Sequence, residues 1–467
     1  MISLDREKKP TVWSYMVLAA AVLSHVLGEG FSYGVIGLFT IAQSDRFNIS
    51  ITASSWTASI HLFTSIIVAP FAAFLTSCIS LRGVQILGGT ITVVGVGCSS
   101  LAESPEEMRF LFGFMTGFGL SLVRTASTSV VTQHFQGTWV NFTLAMLTIG
   151  SSCGLLIFPI IAYNLFLDFE FKGVMLALSV IMMLHIICGL TFFTEEVDDE
   201  SKPKVVEQEE DNSMGLCNRI ATTFLNVITY LPNWAYLLAC CYQTFGISAF
   251  FTLMPHYIAE NSSVSLNEVA QGSMTLGCAA VVGIVAISVT YHKNYNRLIP
   301  ITVTPMICGA VAIGMTLVEN EISYKMLMAL YGLFYGILIT GHMGVAHSKT
   351  LEKDERMMFS AFQIILEACG CLTGPPLTAY IDDLFNPNVG VFYSASCSIK
   401  AGGCFLPILC YEYIVKPWMA AWEEKKAEKK QKQIIQMNSY DTKQVQYQRL
   451  LQQDPEDTPY HSYIQMY

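Results

Sequence analysis

Residues 173–193 read GVMLALSVIMMLHIICGLTFF, without one Asp, Glu, Lys or Arg, and run directly into Thr194-Glu195-Glu196-Val197-Asp198-Asp199-Glu200. About 20 apolar residues of helix cross a hydrocarbon core roughly 30 Å thick, so the first stretch reads as a membrane span. The second opens a polar segment, 194–232, that also carries Glu207, Glu209, Glu210 and Asp211. It is too polar to bury and reads as a linker. Five further apolar runs precede this boundary, at 13–42, 54–76, 83–101, 108–132 and 140–163. Six follow it, at 233–258, 268–290, 299–318, 325–346, 357–381 and 390–413. The expected fold is therefore all-α: about twelve transmembrane helices in two pseudo-symmetric six-helix bundles, 13–193 and 233–413. A short tail, 1–12, precedes them, the acidic linker 194–232 joins them, and a polar tail, 414–467, follows.

The composition agrees. Of 467 residues, 52% are hydrophobic and 13% charged, about half the charge fraction of a soluble globular protein. The net charge of −10 comes mostly from loop acids and says little about partners. Of fourteen cysteines, most lie singly inside apolar runs, as Cys98, Cys153, Cys188, Cys278 and Cys308 do. They read as small buried hydrophobes, with no disulfide framework expected. The first apolar run is too long for the h-region of a cleaved signal peptide.

Basic residues give the orientation. With the N-terminus in the cytoplasm, 20 of the 26 Lys and Arg fall on the cytoplasmic side, including Arg6, Lys8, Lys9, Arg82, Lys293 and Arg297. Opposite loops hold Arg46, Arg109, Lys172, Lys325 and Lys400. The positive-inside rule then places both termini in the cytoplasm. Sequons at Asn48 and Asn261 fall in the expected external loops.

Three charges remain inside apolar runs: Arg124 in the fourth, Glu29 in the first and Glu367 in the eleventh. An ionisable group near the bilayer centre costs about 2.5–3.5 kcal/mol on insertion scales, so it faces a cavity or a partner. Two roles fit. In one, Arg124 attracts an anionic substrate group, and Glu29 or Glu367 carries a proton, with His25 one turn before Glu29 sharing it. In the other, Arg124 and Glu29 form a structural pin, and Glu367 belongs to a packing face marked by Gly370 and Gly374. Tyr33, one turn beyond Glu29, joins Arg124 and Glu29 as a candidate substrate contact. His61, His185 and His342 read as packing residues. Gly113, Gly117 and Ser121 at intervals of four read as a close helix contact. Gly28, Gly30, Gly34 and Gly37 suit either local unwinding or bending of the first helix. Aromatics crowd the seventh run (Trp234, Tyr236, Tyr242, Phe245, Phe250, Phe251) and the tenth (Tyr331, Phe334, Tyr335). No Walker loop, metal-ligand cluster or nucleophile–base pair is evident, so no enzyme activity, metal or cofactor is expected, and no nucleic-acid partner.

Gly374-Pro375-Pro376-Leu377, then Asp382 or Asp383, then Val391-Phe392-Tyr393, resembles the helix 11–12 signature of the monocarboxylate transporter family of the major facilitator superfamily. Leu81-Arg82-Gly83-Val84-Gln85-Ile86-Leu87-Gly88-Gly89 is similar to its loop 2–3 and helix 3. Gly30-Phe31-Ser32-Tyr33, Ser54-Ser55-Trp56 and Leu330-Tyr331-Gly332-Leu333-Phe334-Tyr335-Gly336 match other segments, so the resemblance runs from about Trp13 to Tyr413. It implies a plasma-membrane transporter of a small organic anion working by alternating access, by proton symport or facilitated diffusion. It also implies a single-span accessory glycoprotein as a partner of some members. The departures are in the charged machinery. Pro10-Thr11-Val12-Trp13 lacks the family's acid, and Gly37 stands where proton-coupled members carry lysine. No Asp, Glu, Lys or Arg lies between Glu268 and Lys293, and Gln133-His134-Phe135-Gln136-Gly137-Thr138-Trp139 replaces a basic string. The family's site residues are therefore not carried over. Facilitation of aromatic or neutral solutes, or a non-transporting sensor or scaffold working through its tails, remain as alternatives. In the tail, EEKKAEKKQK at 423–432 suits either anionic lipid or a solvated helix. Tyr447-Gln448-Arg449-Leu450 and Tyr463-Ile464-Gln465-Met466 resemble tyrosine-based sorting signals.

Overall fold

The computed structural model describes residues 10–135, 137–193, 231–291, 298–345 and 353–451. Among them every regular element is helical. Eleven helices are long and apolar enough to span a membrane, and a twelfth span is broken, with Ile51–Ile67 and Ala69–Cys78 bent by 43°. We number the spans α1 (Val12–Phe47), α2 (the broken pair), α3 (Leu81–Leu101), α4 (Pro105–His134), α5 (Thr138–Asp168) and α6 (Phe171–Leu190). The second set is α7 (Leu231–Asn261), α8 (Leu266–Tyr291), α9 (Leu298–Gly314), α10 (Glu321–Val345), α11 (Lys353–Leu384) and α12 (Pro387–Cys410).

The helices outrun the apolar runs at several ends, because hydropathy locates the hydrocarbon while capping chemistry locates the helix terminus. Thr11 and Ser14 form a reciprocal capping box at the start of α1. The Ser50 hydroxyl accepts from Ala53 N to open α2, and Ser80 accepts from Gly83 N to open α3. Ser104 precedes Pro105 at the first position of α4, where a missing N–H costs nothing. Asn48, in the left-handed conformation at φ 50°, ends α1.

The described residues up to Pro407 form one compact unit, and those from Ile408 onward a second. Glycine lets backbones approach closely in the first unit. A Cβ on Gly370 would sit 2.4 Å from Cys241 O, and one on Gly374 would sit 2.6 Å from Phe245 O, so α11 lies directly on α7. The packing face expected around Gly370 and Gly374 is therefore present, and Pro375 and Pro376 continue that helix without ending it. Gly88 meets α4 at Gly119 O and Gly89 meets α6 at His185, while the Arg82 guanidinium lies 4.6 Å from the Phe193 ring centroid. Gly113 and Gly117 of the expected small-residue stripe pack on α2, where a Cβ on Gly117 would fall 2.6 Å from His61 O. Phe250, Phe251, Tyr331 and Tyr335 are core, with Phe250 and Tyr331 stacked at 3.8 Å. All cysteines among the described residues are free.

In the second unit, helix α13 (Lys416–Leu451) exposes Trp418 and Trp422, and Lys426 Nζ lies 5.0 Å from the Trp422 ring centroid. The backbone of Tyr447 and Leu450 belongs to this helix. The linker acids Glu195 to Asp211, the basic residues Arg6, Lys8, Lys9, Lys293 and Arg297, and Tyr463–Met466 lie outside the described residues.

Candidate functional site

The first helix widens by one residue over Val26–Gly30, a single turn with i→i+5 geometry. Glu29 lies in that turn. Next to it, Gly30 crosses Gly154 of α5 so closely that a Cβ on Gly30 would fall 2.4 Å from Gly154 Cα. Three glycines of α1 serve close packing, Gly30 and Gly34 against α5 and Gly37 against Pro255 and Phe251 O of α7, while Gly28 and Gly30 also fall in the widened turn. The crossing brings Ser151, one turn before Gly154, to Glu29, and Ser151 Oγ donates to Glu29 Oε2 at 2.7 Å.

Arg124 completes the group from α4, its Nε donating to Glu29 Oε1 at 2.9 Å. His25 Nδ1 stands 3.8 Å from Glu29 Oε2 and 3.5 Å from Ser151 Oγ. The Arg124 side chain is 47% exposed and that of Glu29 29%, although both sit deep among the helices, because they face an internal cavity of about 280 Å³. Tyr33, Tyr335, Gln243, Gln363 and Glu367 contribute to the same cavity. Glu367 lies on α11, where Gln363 Nε2 donates to its Oε1 at 2.8 Å. The Tyr33 ring packs on Phe251 at 5.2 Å, beside the Gly37–Pro255 contact of α1 with α7.

All five residues singled out in the sequence, Arg124, Glu29, Tyr33, His25 and Glu367, line this one cavity. Ser151, Gln243 and Gln363 line it as well, though hydropathy does not single them out. For Ser151 a signal existed: Gly150 and Gly154 are four apart and both press on α1. The two glutamines carry no such mark. His61 is a satisfied packing residue, bonded to Ser32 Oγ at 2.8 Å and Phe112 O at 3.2 Å and stacked on the Phe112 ring. The side chain of His342 lies outside the described residues. At the α1–α2 end, Thr52 Oγ1 donates to Asp383 Oδ2 at 2.6 Å, and Gly390 N donates to Asp382 Oδ1 at 2.8 Å. The signature aspartates therefore have separate jobs, one joining α2 to α11 and the other tying α11 to α12.

The described residues hold no cluster of His, Cys, Asp or Glu able to take a metal ion. What the cavity offers is a half-exposed guanidinium paired with a carboxylate, two amides, a second carboxylate and two phenols. That is equipment for holding a small polar organic molecule.

Comparison with known proteins agrees with this architecture. The family model described as Major Facilitator Superfamily matches residues 18–375. The chain is 22% identical over 419 residues to human monocarboxylate transporter 6, covering 86% of this chain and 81% of that one. It is 23% identical over 177 residues to mouse monocarboxylate transporter 9, where the match spans 34% of the relative's length. Among solved structures, a POT family transporter in complex with 5-aminolevulinic acid superposes with a TM-score of 0.65 at 15% identity, covering 84% of this chain and 95% of that one. A POT family transporter in complex with a thioalcohol conjugated peptide gives 0.63 at 14% identity, over 85% and 96%. The chain belongs to the Major Facilitator Superfamily, as an integral membrane transporter, not an enzyme, with similarity to monocarboxylate transporters.

Proposed function

We propose that this transporter carries a small monocarboxylate-like organic anion by alternating access, with Arg124 as the group that takes the substrate carboxylate. The observation that carries the reading is the half-exposed Arg124 guanidinium, held toward a cavity of about 280 Å³, just below the usual lower size for drug-sized ligands, about 300 Å³. In this conformation Glu29 occupies the guanidinium. An incoming carboxylate displaces it, and Glu29 then takes a proton, with His25 and Ser151 as hydrogen-bonding neighbours. Tyr33 closes the cavity against α7. The two moving bodies are 13–193 and 233–413, joined by 194–232, with both tails cytoplasmic and the plasma membrane as the location. Proton coupling follows from the exchange at Glu29, and an accessory glycoprotein is an implication of the family resemblance alone.

The test is uptake of labelled small monocarboxylates into proteoliposomes, with and without an inward proton gradient. Saturable uptake driven by the gradient, lost in Arg124→Gln and uncoupled in Glu29→Gln, is the expected result. Saturable uptake indifferent to the gradient removes the proton role and leaves Glu29 a structural partner. No flux above protein-free vesicles, from a sample shown to be folded, ends the monocarboxylate reading.

A further inference from the structure

The acid on the opposite wall has a different setting from Glu29. Glu367 receives the Gln363 amide at 2.8 Å. No arginine, lysine or histidine ion-pairs with it among the described residues. A carboxylate offers about four acceptor positions, so the Gln363 amide leaves acceptor capacity on a group that lines the cavity. The wall is also held firmly. Gly370 and Gly374 seat the following turns of α11 on the backbone of α7, fixing where the carboxylate points. Of the two acids that line the cavity, Glu29 is paired with Arg124, and Glu367 has no basic partner within ion-pair distance among the described residues.

We propose that Glu367, with Gln363 beside it, forms a second subsite that receives a hydrogen-bond-donating group of the substrate, an ammonium above all and a hydroxyl more weakly. The transported acid is then an amino carboxylate, bridging Arg124 on α4 and Glu367 on α11, rather than an unsubstituted one. This rests on the reading of Arg124 as the carboxylate-binding group.

The experiment uses three acids of one chain length, butyrate, 3-hydroxybutyrate and 3-aminobutyrate, with uptake by the full-length protein in liposomes. A hydrogen bond to a charged group predicts a KM for 3-aminobutyrate about tenfold or more below that for butyrate, with 3-hydroxybutyrate between them. In Glu367→Gln that ratio collapses to about threefold or less, while Glu367→Asp keeps the order, since it retains the charge. Equal KM values in the wild type, or a preference for butyrate, overturn the subsite and leave the Arg124 reading standing. A uniform loss across all three acids in Glu367→Gln also overturns it, because a purely structural residue would act that way. Wild-type behaviour of Arg124→Gln toward all three defeats the carboxylate reading itself. Uptake of none of them by folded wild-type protein overturns both.

Discussion

The crossing of α1 and α5 lets one methyl group be used as a ruler. In Gly30→Ala the new Cβ would lie 2.4 Å from Gly154 Cα and 2.7 Å from Ser151 O, against an ordinary contact of 3.4–4 Å. Both obstructing atoms are backbone, so no rotamer relieves the clash, and the helices must part by about 1 Å. That movement carries Ser151 with it and stretches its 2.7 Å bond to Glu29 to about 3.7 Å, beyond hydrogen-bonding range. Overpacking costs about 1–3 kcal/mol. The lost bond, to a partly exposed carboxylate, adds about 1 kcal/mol, and the better helix propensity of alanine returns about 1 kcal/mol. The net expectation is a destabilisation of about 1–3 kcal/mol together with a weakened site. Gly403→Ala is the control, because a Cβ there meets nothing within 4 Å; it should be neutral or stabilising by about 1 kcal/mol. The assay is the apparent unfolding temperature of both purified variants in one detergent, alongside uptake. If Gly30→Ala unfolds no lower than Gly403→Ala and transports normally, the close crossing and its placement of Ser151 are wrong.

Three further outcomes are expected. Asp382→Ala removes the acceptor of Gly390 N and should lower stability by about 0.5–2 kcal/mol, as loss of a helix cap does; Asp382→Asn keeps an acceptor and should stay close to wild type, and equal losses in both would refute the cap role. Asn48 and Asn261 are exposed at the α1–α2 and α7–α8 connections. In glycosylating cells, a glycosidase-sensitive shift lost in Asn48→Gln or Asn261→Gln would support the external assignment of these connections, and labelling of an intact-cell N-terminal tag would overturn it. Deleting residues 423–467 should leave uptake by reconstituted protein unchanged, whereas loss of a cellular signal with no flux in either form would favour the sensor alternative.

The sequence by itself determined the span count and the residues that lipid should have excluded. Both depend on local quantities: the length of an apolar run against the bilayer, and the cost of one charge within it. Arg124, Glu29 and Glu367 stand out in any reading of the hydropathy. What those charges do to one another is a different matter. The sequence left Arg124 and Glu29 either as separate substrate and proton groups or as an ion pair, and only the tertiary structure shows them in contact, through the widened turn of α1 and the Gly30–Gly154 crossing. The same holds for Ser151, 122 positions from its carboxylate partner, and for Thr52 and Asp383, 331 positions apart. A side-chain contact between distant residues leaves no periodicity in the chain. It is set by how closely backbones approach, which glycines permit and only the assembled helices fix.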